Sequence, residues 1–207
     1  MKNYKIILCL TAVALITACS KDDDNNVYVK APSAKIEVEN LNAVPLFDAM
    51  ANNVSSAVAE SKITVTNEGT IGDGSKVTVN MDLAHTFASD LVIQIVSPTG
   101  ESCTLLKRAL SGTDDTSSDF IAGNLVAFNA AAAGEIAAVE GVISTGVYLP
   151  TAGLNTAPAN VELTNLGDFF NGKSIKGDWS IKVTDYSPAD TGTLNKWKIT
   201  FETGALQ

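Results

Sequence analysis

Hydrophobic and polar residues alternate with a period of two along several stretches of this chain, the pattern of strands with one face buried and one face wet. In the stretch 179–184, Trp179, Ile181 and Val183 fall on one side and Ser180, Lys182 and Thr184 on the other. Trp197, Ile199 and Phe201 oppose Lys196, Lys198 and Thr200 in the same way, and Val77, Val79 and Met81 oppose Thr78, Asn80 and Asp82. The run Leu91–Val96 is nearly continuously apolar, as expected of a strand covered on both faces, and it is the expected centre of a sheet. Turn residues separate these runs. Ser97-Pro98-Thr99-Gly100 places proline second and glycine fourth, the type I preference, while Asn67-Glu68-Gly69, Gly72-Asp73-Gly74 and Gly192 supply flexible backbone where the chain reverses. Short strands, regular turn signals and little helical period predict an all-β fold, an antiparallel sandwich. Two alanine-rich segments, 44–59 and 125–139, fit this pattern less well and leave short helices and packed loops both open.

The amino terminus changes the picture of where the chain works. Lys2 and Lys5 precede thirteen uncharged residues, 6–18, and then Ile16-Thr17-Ala18-Cys19 closes the run. That apolar stretch is too short for a permanent membrane span and reads as a signal peptide. Small residues before the cysteine admit a signal peptidase, and the thiol carries a diacylglycerol, so Cys19 is the expected lipidation site and 1–18 the removed leader. Residues 19–35 then form an expected acidic tether beginning Ser20-Lys21-Asp22-Asp23-Asp24, with too little apolar surface to fold by itself. This tether resembles the acidic export signal of surface lipoproteins of Bacteroidetes; a plain spacer is the alternative reading. Both place the protein at the cell envelope, on the outer membrane through its lipid, and the first exposes it at the cell surface. The remainder, 36–204, is expected to be one domain.

Charge and cysteine usage exclude several function classes. Of fourteen basic residues Lys2 and Lys5 lie in the leader, leaving twelve against twenty-three acidic ones, a net charge of −11 for the mature chain. Such a field opposes binding to phosphate backbones, so nucleic acid is excluded as a partner. Cys9 lies in the leader and Cys19 is acylated, which leaves Cys103 with no partner for an intramolecular disulfide. An exported domain without that staple relies on its core.

Two separated blocks carry a family resemblance. Phe170-Asn-Gly-Lys-Ser-Ile-Lys-Gly177-Asp-Trp179-Ser-Ile-Lys-Val-Thr-Asp185, followed by Asp190-Thr-Gly192-Thr-Leu194-Asn-Lys-Trp197-Lys-Ile-Thr-Phe201, resembles the closing strands of the P domain (P/Homo B) that follows the catalytic domain in kexin-like and furin-like subtilisin proteases. Upstream, His85-Thr-Phe, Asp90-Leu91 and Ser97-Pro98-Thr-Gly100 look like the core of the same family. Gly146-Val-Tyr148-Leu-Pro150 and Leu166-Gly-Asp-Phe-Phe170 are similar to the strands that link the two blocks in bacterial members, so the match runs from about 63 to 201. Where bacterial members often carry an acidic pair after a phenylalanine, this chain has Phe128-Asn129-Ala130. The resemblance implies a jelly-roll sandwich, of the galactose-binding-like kind, that packs against a protease and stabilises it.

The chemistry-bearing residues are few. A serine hydrolase needs a base beside its nucleophile and an acid behind the base, but the chain has one histidine, His85, and nothing like the glycine-flanked serine of subtilisins. A lone histidine at a strand end is the expected structural hydrogen-bonding residue, no catalytic residue is assigned, and the protein is expected not to be an enzyme. One histidine and one free thiol also exclude a zinc site with nitrogen and sulfur ligands. Calcium asks only for oxygen: Asp90, Asp185 and Asp190 are its candidate ligands, with Asp114, Asp115 and Asp119 as a second group. The alternative is that Asp185 and Asp190 cap backbone amides at a turn. No other cofactor is implied. The leading expectation is a non-catalytic, lipid-anchored envelope module that makes protein contacts, with a subtilisin-like serine protease as partner. A carbohydrate-binding surface lipoprotein is the alternative, weakened because Trp179 and Trp197 fall on inward positions; endopeptidase activity transferred from the family name ranks third.

Overall fold

The period-two stretches pair into two sheets that share one apolar core. The structure, a computed structural model, describes residues 30–109, 118–136, 141–154 and 157–207. The expected leader, Cys19, most of the tether, and Asp114 and Asp115 lie outside the described residues. In chain order the elements are β1 (Ile36–Asn40), β2 (Val44–Pro45), β3 (Ala59–Val65), β4 (Val77–His85), β5 (Leu91–Val96), β6 (Ser102–Lys107) and β7 (Ser118–Asp119). β8 (Leu125–Phe128), β9 (Gly141–Val142), β10 (Gly146–Tyr148) and β11 (Thr151–Ala152) precede a short helix, α1 (Leu166–Phe170), and β12 (Gly177–Asp185) and β13 (Gly192–Phe201) follow it. All of them belong to the compact unit Pro32–Gln207.

One sheet has the order β1-β13-β4-β8-β10 with β2 also on β13, the other β11-β6-β5-β12-β3, and β7 pairs with β9 apart from both. The apolar run of β5 is the middle strand of its sheet, as its composition requires. The long strands pair antiparallel as expected, but β8 with β10, β6 with β11 and β7 with β9 are parallel. These exceptions involve two- and three-residue strands from the 118–152 region, whose pairing is set by where neighbouring loops leave them rather than by a hairpin turn.

Inward-facing side chains follow the sequence alternation. Trp179, Ile181, Trp197, Ile199 and Phe201 are fully buried, with Val77, Val79 and Met81 opposite them. Two irregularities break the period where the pattern breaks. In β13 the register with β4 shifts between Leu194 and Lys196, so Asn195 is extra and both Leu194 and Trp197 point inward. In β6 the register shifts opposite Ile93 and Gln94, which lets Leu105 and Leu106 both be buried. An extra residue in one strand re-aims its neighbours in this way.

Each indole has a hydrogen-bond partner inside the core: Trp179 Nε1 donates to Ile175 O at 2.8 Å and Trp197 Nε1 to Ser61 Oγ at 3.0 Å. Rings continue from α1 to β13, with centroids 5.1 Å apart for Phe169 and Phe170, 5.7 Å for Phe170 and Trp179, and 6.3 Å for Trp179 and Phe201. The tilted and edge-on angles of 46–65° between them are those the ring quadrupoles favour. Cys103 is buried, its Sγ 3.2 Å from Thr164 Oγ1, and burial pushes its thiol above the usual range.

Of the alanine-rich segments, 44–59 holds β2 and an extended loop into β3, and 125–136 holds β8 and turns. The one α-helix among the described residues is α1, where Asn165 accepts the Asp168 N–H at 3.0 Å as its N-cap. Packing continues past Phe201: Ala205 is fully buried and Leu206 bridges Ile71.

Candidate functional site

The strand ends β4, β5, β6 and β12 bring the polar residues that drew attention in the sequence to one end of the sandwich. His85 closes β4, its backbone held by a two-way bridge to Phe120 (both N···O distances 2.9 Å) and paired with Gly192 of β13. Glycine is required there, since a Cβ on Gly192 would lie 2.4 Å from Ala84 O and 2.7 Å from the His85 ring. The imidazole is itself wholly buried. Its Nε2 lies 3.2 Å from Asp185 Oδ2, and its Nδ1 lies 3.2 Å from the Phe87 N–H and 3.0 Å from Phe87 O. With the ring proton on Nε2, that nitrogen donates to Asp185 while Nδ1 accepts from Phe87.

Asp185 is also sealed, with both oxygens occupied: Oδ2 by His85 and Oδ1 by the Ser187 N–H at 2.9 Å. The second contact is the backbone-capping role anticipated for this residue. Its own backbone ties in the loop before β3, because Asp185 N–H donates to Ser56 Oγ at 3.0 Å and Ser56 N–H to Asp185 O at 2.8 Å. Asp190 accepts from Thr86 Oγ1 at 2.5 Å.

A second buried ion sits beside this pair and was not anticipated. Arg108 follows β6 with φ of 44°, in the left-handed region that a branched or long side chain adopts only under constraint. Its Nε donates to Ser89 O at 3.0 Å, Nη1 to Asn53 Oδ1 at 2.5 Å and Nη2 to Ser187 Oγ at 3.2 Å, with Asp90 Oδ1 3.8 Å away. Arg108 and Asp90 are 5% and 7% exposed. Burial raises the Asp90 carboxyl above its ordinary value, the nearby Asp185 and Asp190 charges add to this, and Ser187 and Arg108 oppose it. Burial likewise lowers the Arg108 guanidinium, against the pull of Asp90 and Asp185. A single arginine after an apolar strand carries no sequence signal that separates it from a surface arginine.

The three first-choice calcium ligands are therefore brought to the same end of the fold, each engaged by a different protein donor. Among the described residues no group of three or more His, Cys, Asp or Glu side chains is placed to hold a metal ion. Asp119 lies in β7, away from that set in the sequence and paired through its backbone with Val142. At the family departure, Asn129 works structurally: its Nδ2 reaches Ser75 O, Val77 O and Thr78 Oγ1, all at 3.0 Å, and its Oδ1 accepts from the Ala131 N–H.

A buried imidazole with both nitrogens engaged, set at the end of a nearly all-β sandwich, defines a structural polar centre in a β-module. The chain belongs to the proprotein convertase P-domain family, whose sequence model matches residues 74–136 and 156–201. The P domain is a non-catalytic domain. Among solved structures, a serine protease of Aeromonas sobria is similar at 15% identity and a TM-score of 0.38, over 81% of this chain and 27% of that one. The same organism's serine protease in complex with the chaperone ORF2 gives 14% identity and a TM-score of 0.38, over 84% of this chain and 28% of that one. This chain thus spans about a quarter of the length of those proteins. No curated protein matches it.

Proposed function

We propose that this protein is a non-catalytic, lipid-anchored module of the cell envelope that works by protein contact, as an accessory or stabilising partner of a subtilisin-like serine protease. The observation that carries the non-catalytic part is the state of His85: the only imidazole of the chain is sealed in the fold between Asp185 and Phe87. General-base catalysis needs that group within reach of a substrate proton. Membership of the P-domain family supports the protease as partner. The expected leader 1–18, the Cys19 that follows it and the acidic residues after that support the lipid anchor and surface exposure. Both tryptophans are buried, which removes them as a stacking platform for sugars.

Metabolic labelling with a palmitate analogue, with and without Cys19→Ala, tests the anchor: label on the native chain and none on the variant supports it. For the partner, the protease-specific activity of envelopes is followed at growth temperature in cells with and without this protein. Faster loss of a subtilisin-like activity in its absence supports the reading, and an unchanged decay overturns it.

A further inference from the structure

The segment between β2 and β3 presents an apolar ridge. Phe47, Met50, Val54 and Val58 are 49%, 97%, 52% and 50% exposed and fall within twelve consecutive positions. Single exposed hydrophobics are ordinary, whereas a run of them marks a surface meant to be covered. The backbone beneath the ridge is fixed. Leu46 N–H donates to Gly192 O at 2.9 Å, Asn53 N–H to Tyr186 O at 2.8 Å, Ser56 N–H to Asp185 O at 2.8 Å and Ala189 N–H to Asp48 Oδ2 at 3.2 Å. Arg108 grips Asn53 Oδ1 from below. The buried polar centre thus anchors this segment while Phe47, Met50, Val54 and Val58 face outward; Leu46 at its start packs against the core and the small Ala49 turns in. The segment precedes residue 74, where the family match begins, so the ridge is a feature of this chain beyond the matched domain.

Charge selects the kind of surface that covers it. Across 41–59 the only charged residue is Asp48 and no base is present; the half-buried Asp190 borders the segment, while Glu60, just after it, stands opposite Lys182 in the β3–β12 pair. The whole chain carries −9. We propose that the ridge 47–58 docks into an apolar groove, rimmed by lysine or arginine, on a folded protein partner. A second copy would bring the same acidic rim against itself, and an anionic lipid surface would be repelled in the same way. A stable complex buries about 800 Å² per partner, more than four side chains supply, so Asp48 and Asp190 belong to the footprint as its polar rim. That the partner is a protease rests on the function proposed above; the ridge and the chemistry it selects do not.

The test uses the full chain in the cells that make it, with a benzophenone amino acid replacing Met50 or, as the control, Val147, which is 55% exposed on the edge strand β10. After irradiation, mass spectrometry maps the cross-linked residue of the partner. The expected result is one protein adduct at position 50 and none at 147, joined within an apolar surface that lies beside basic residues. Its yield should fall more than tenfold with Phe47→Ser and two- to fivefold with Asp48→Asn, which keeps an oxygen for the Ala189 N–H and removes the charge; thermal melting confirms that each variant is folded. No adduct at 50, an equal adduct at 147, a self-adduct, a lipid adduct, or a yield indifferent to both substitutions would overturn the proposal. A non-protease captured through a basic-rimmed groove would sustain the ridge and sink the protease reading, whereas a protease captured only through another face would do the reverse.

Discussion

At the scale of single residues, the buried ions dominate. Removing one member of a buried pair leaves the other charged or polar group unpaired, which costs on the order of 3–5 kcal/mol. His85→Ala should therefore lower the urea midpoint by an amount corresponding to that range, since Asp185 keeps only the Ser187 N–H. Asp90 gives a pH dependence with a definite sign. Burial holds its folded-state pKa above the ordinary 3.8, so the folded protein binds this proton more tightly than the unfolded chain. That contribution is fully present below the ordinary value and is lost as the pH rises through the raised one. The stability of the native protein relative to Asp90→Asn should accordingly fall from acid toward neutral pH in a series of urea titrations; a flat difference would show that the carboxyl is not perturbed.

At the scale of elements, two contacts decide whether neighbouring pieces sit correctly. The Arg108 guanidinium joins the end of β6 to the loop 46–58 through Asn53 and to the turn after β12 through Ser187. In Arg108→Ala, hydrogen exchange should quicken at the Asn53 and Ser56 amides more than at those of β5 and β12, because local opening follows the loss of local anchors. The turn before β4 approaches α1 so closely that a Cβ on Gly74 would lie 2.1 Å from Gly167 O. Gly74→Ala has to push backbone against backbone, so it should cost about 1–3 kcal/mol, seen as a lower melting temperature. The helix itself was hidden in the sequence, because five residues are fewer than two turns and show no period; Asn165 and Asp168 were the only signal, an N-cap. The bulge at Asn195 was likewise hidden, since alternation read from Trp197 onward gives no warning that Leu194 also faces inward.

At the scale of the whole molecule, both indoles lie in one contiguous apolar cluster drawn from the two large sheets. Unfolding followed by the fluorescence of Trp179 alone, in Trp197→Phe, should coincide with circular dichroism of the same variant, and likewise for Trp197 alone in Trp179→Phe. Divergent midpoints would mean that the sheets unfold separately. Much of this architecture was legible in the chain: strands at 77–82, 91–96, 179–184 and 197–201, their inward faces, the middle position of β5 and the family itself. These are local properties, since the period of apolar residues and the placement of turn residues are written in consecutive positions. The candidate aspartates were also legible as residues, but their partners were not: His85 and Asp185 are one hundred positions apart, Arg108 and Asn53 fifty-five. The sequence by itself determined a β-sandwich of the P-domain family with an isolated histidine. Only the tertiary structure decided that this histidine is sealed, that a strained arginine clamps the loop beside it, and that Phe47, Met50, Val54 and Val58 of that loop face out while Leu46 and Ala49 pack inward, because burial and charge pairing arise when distant strand ends are brought to the same place.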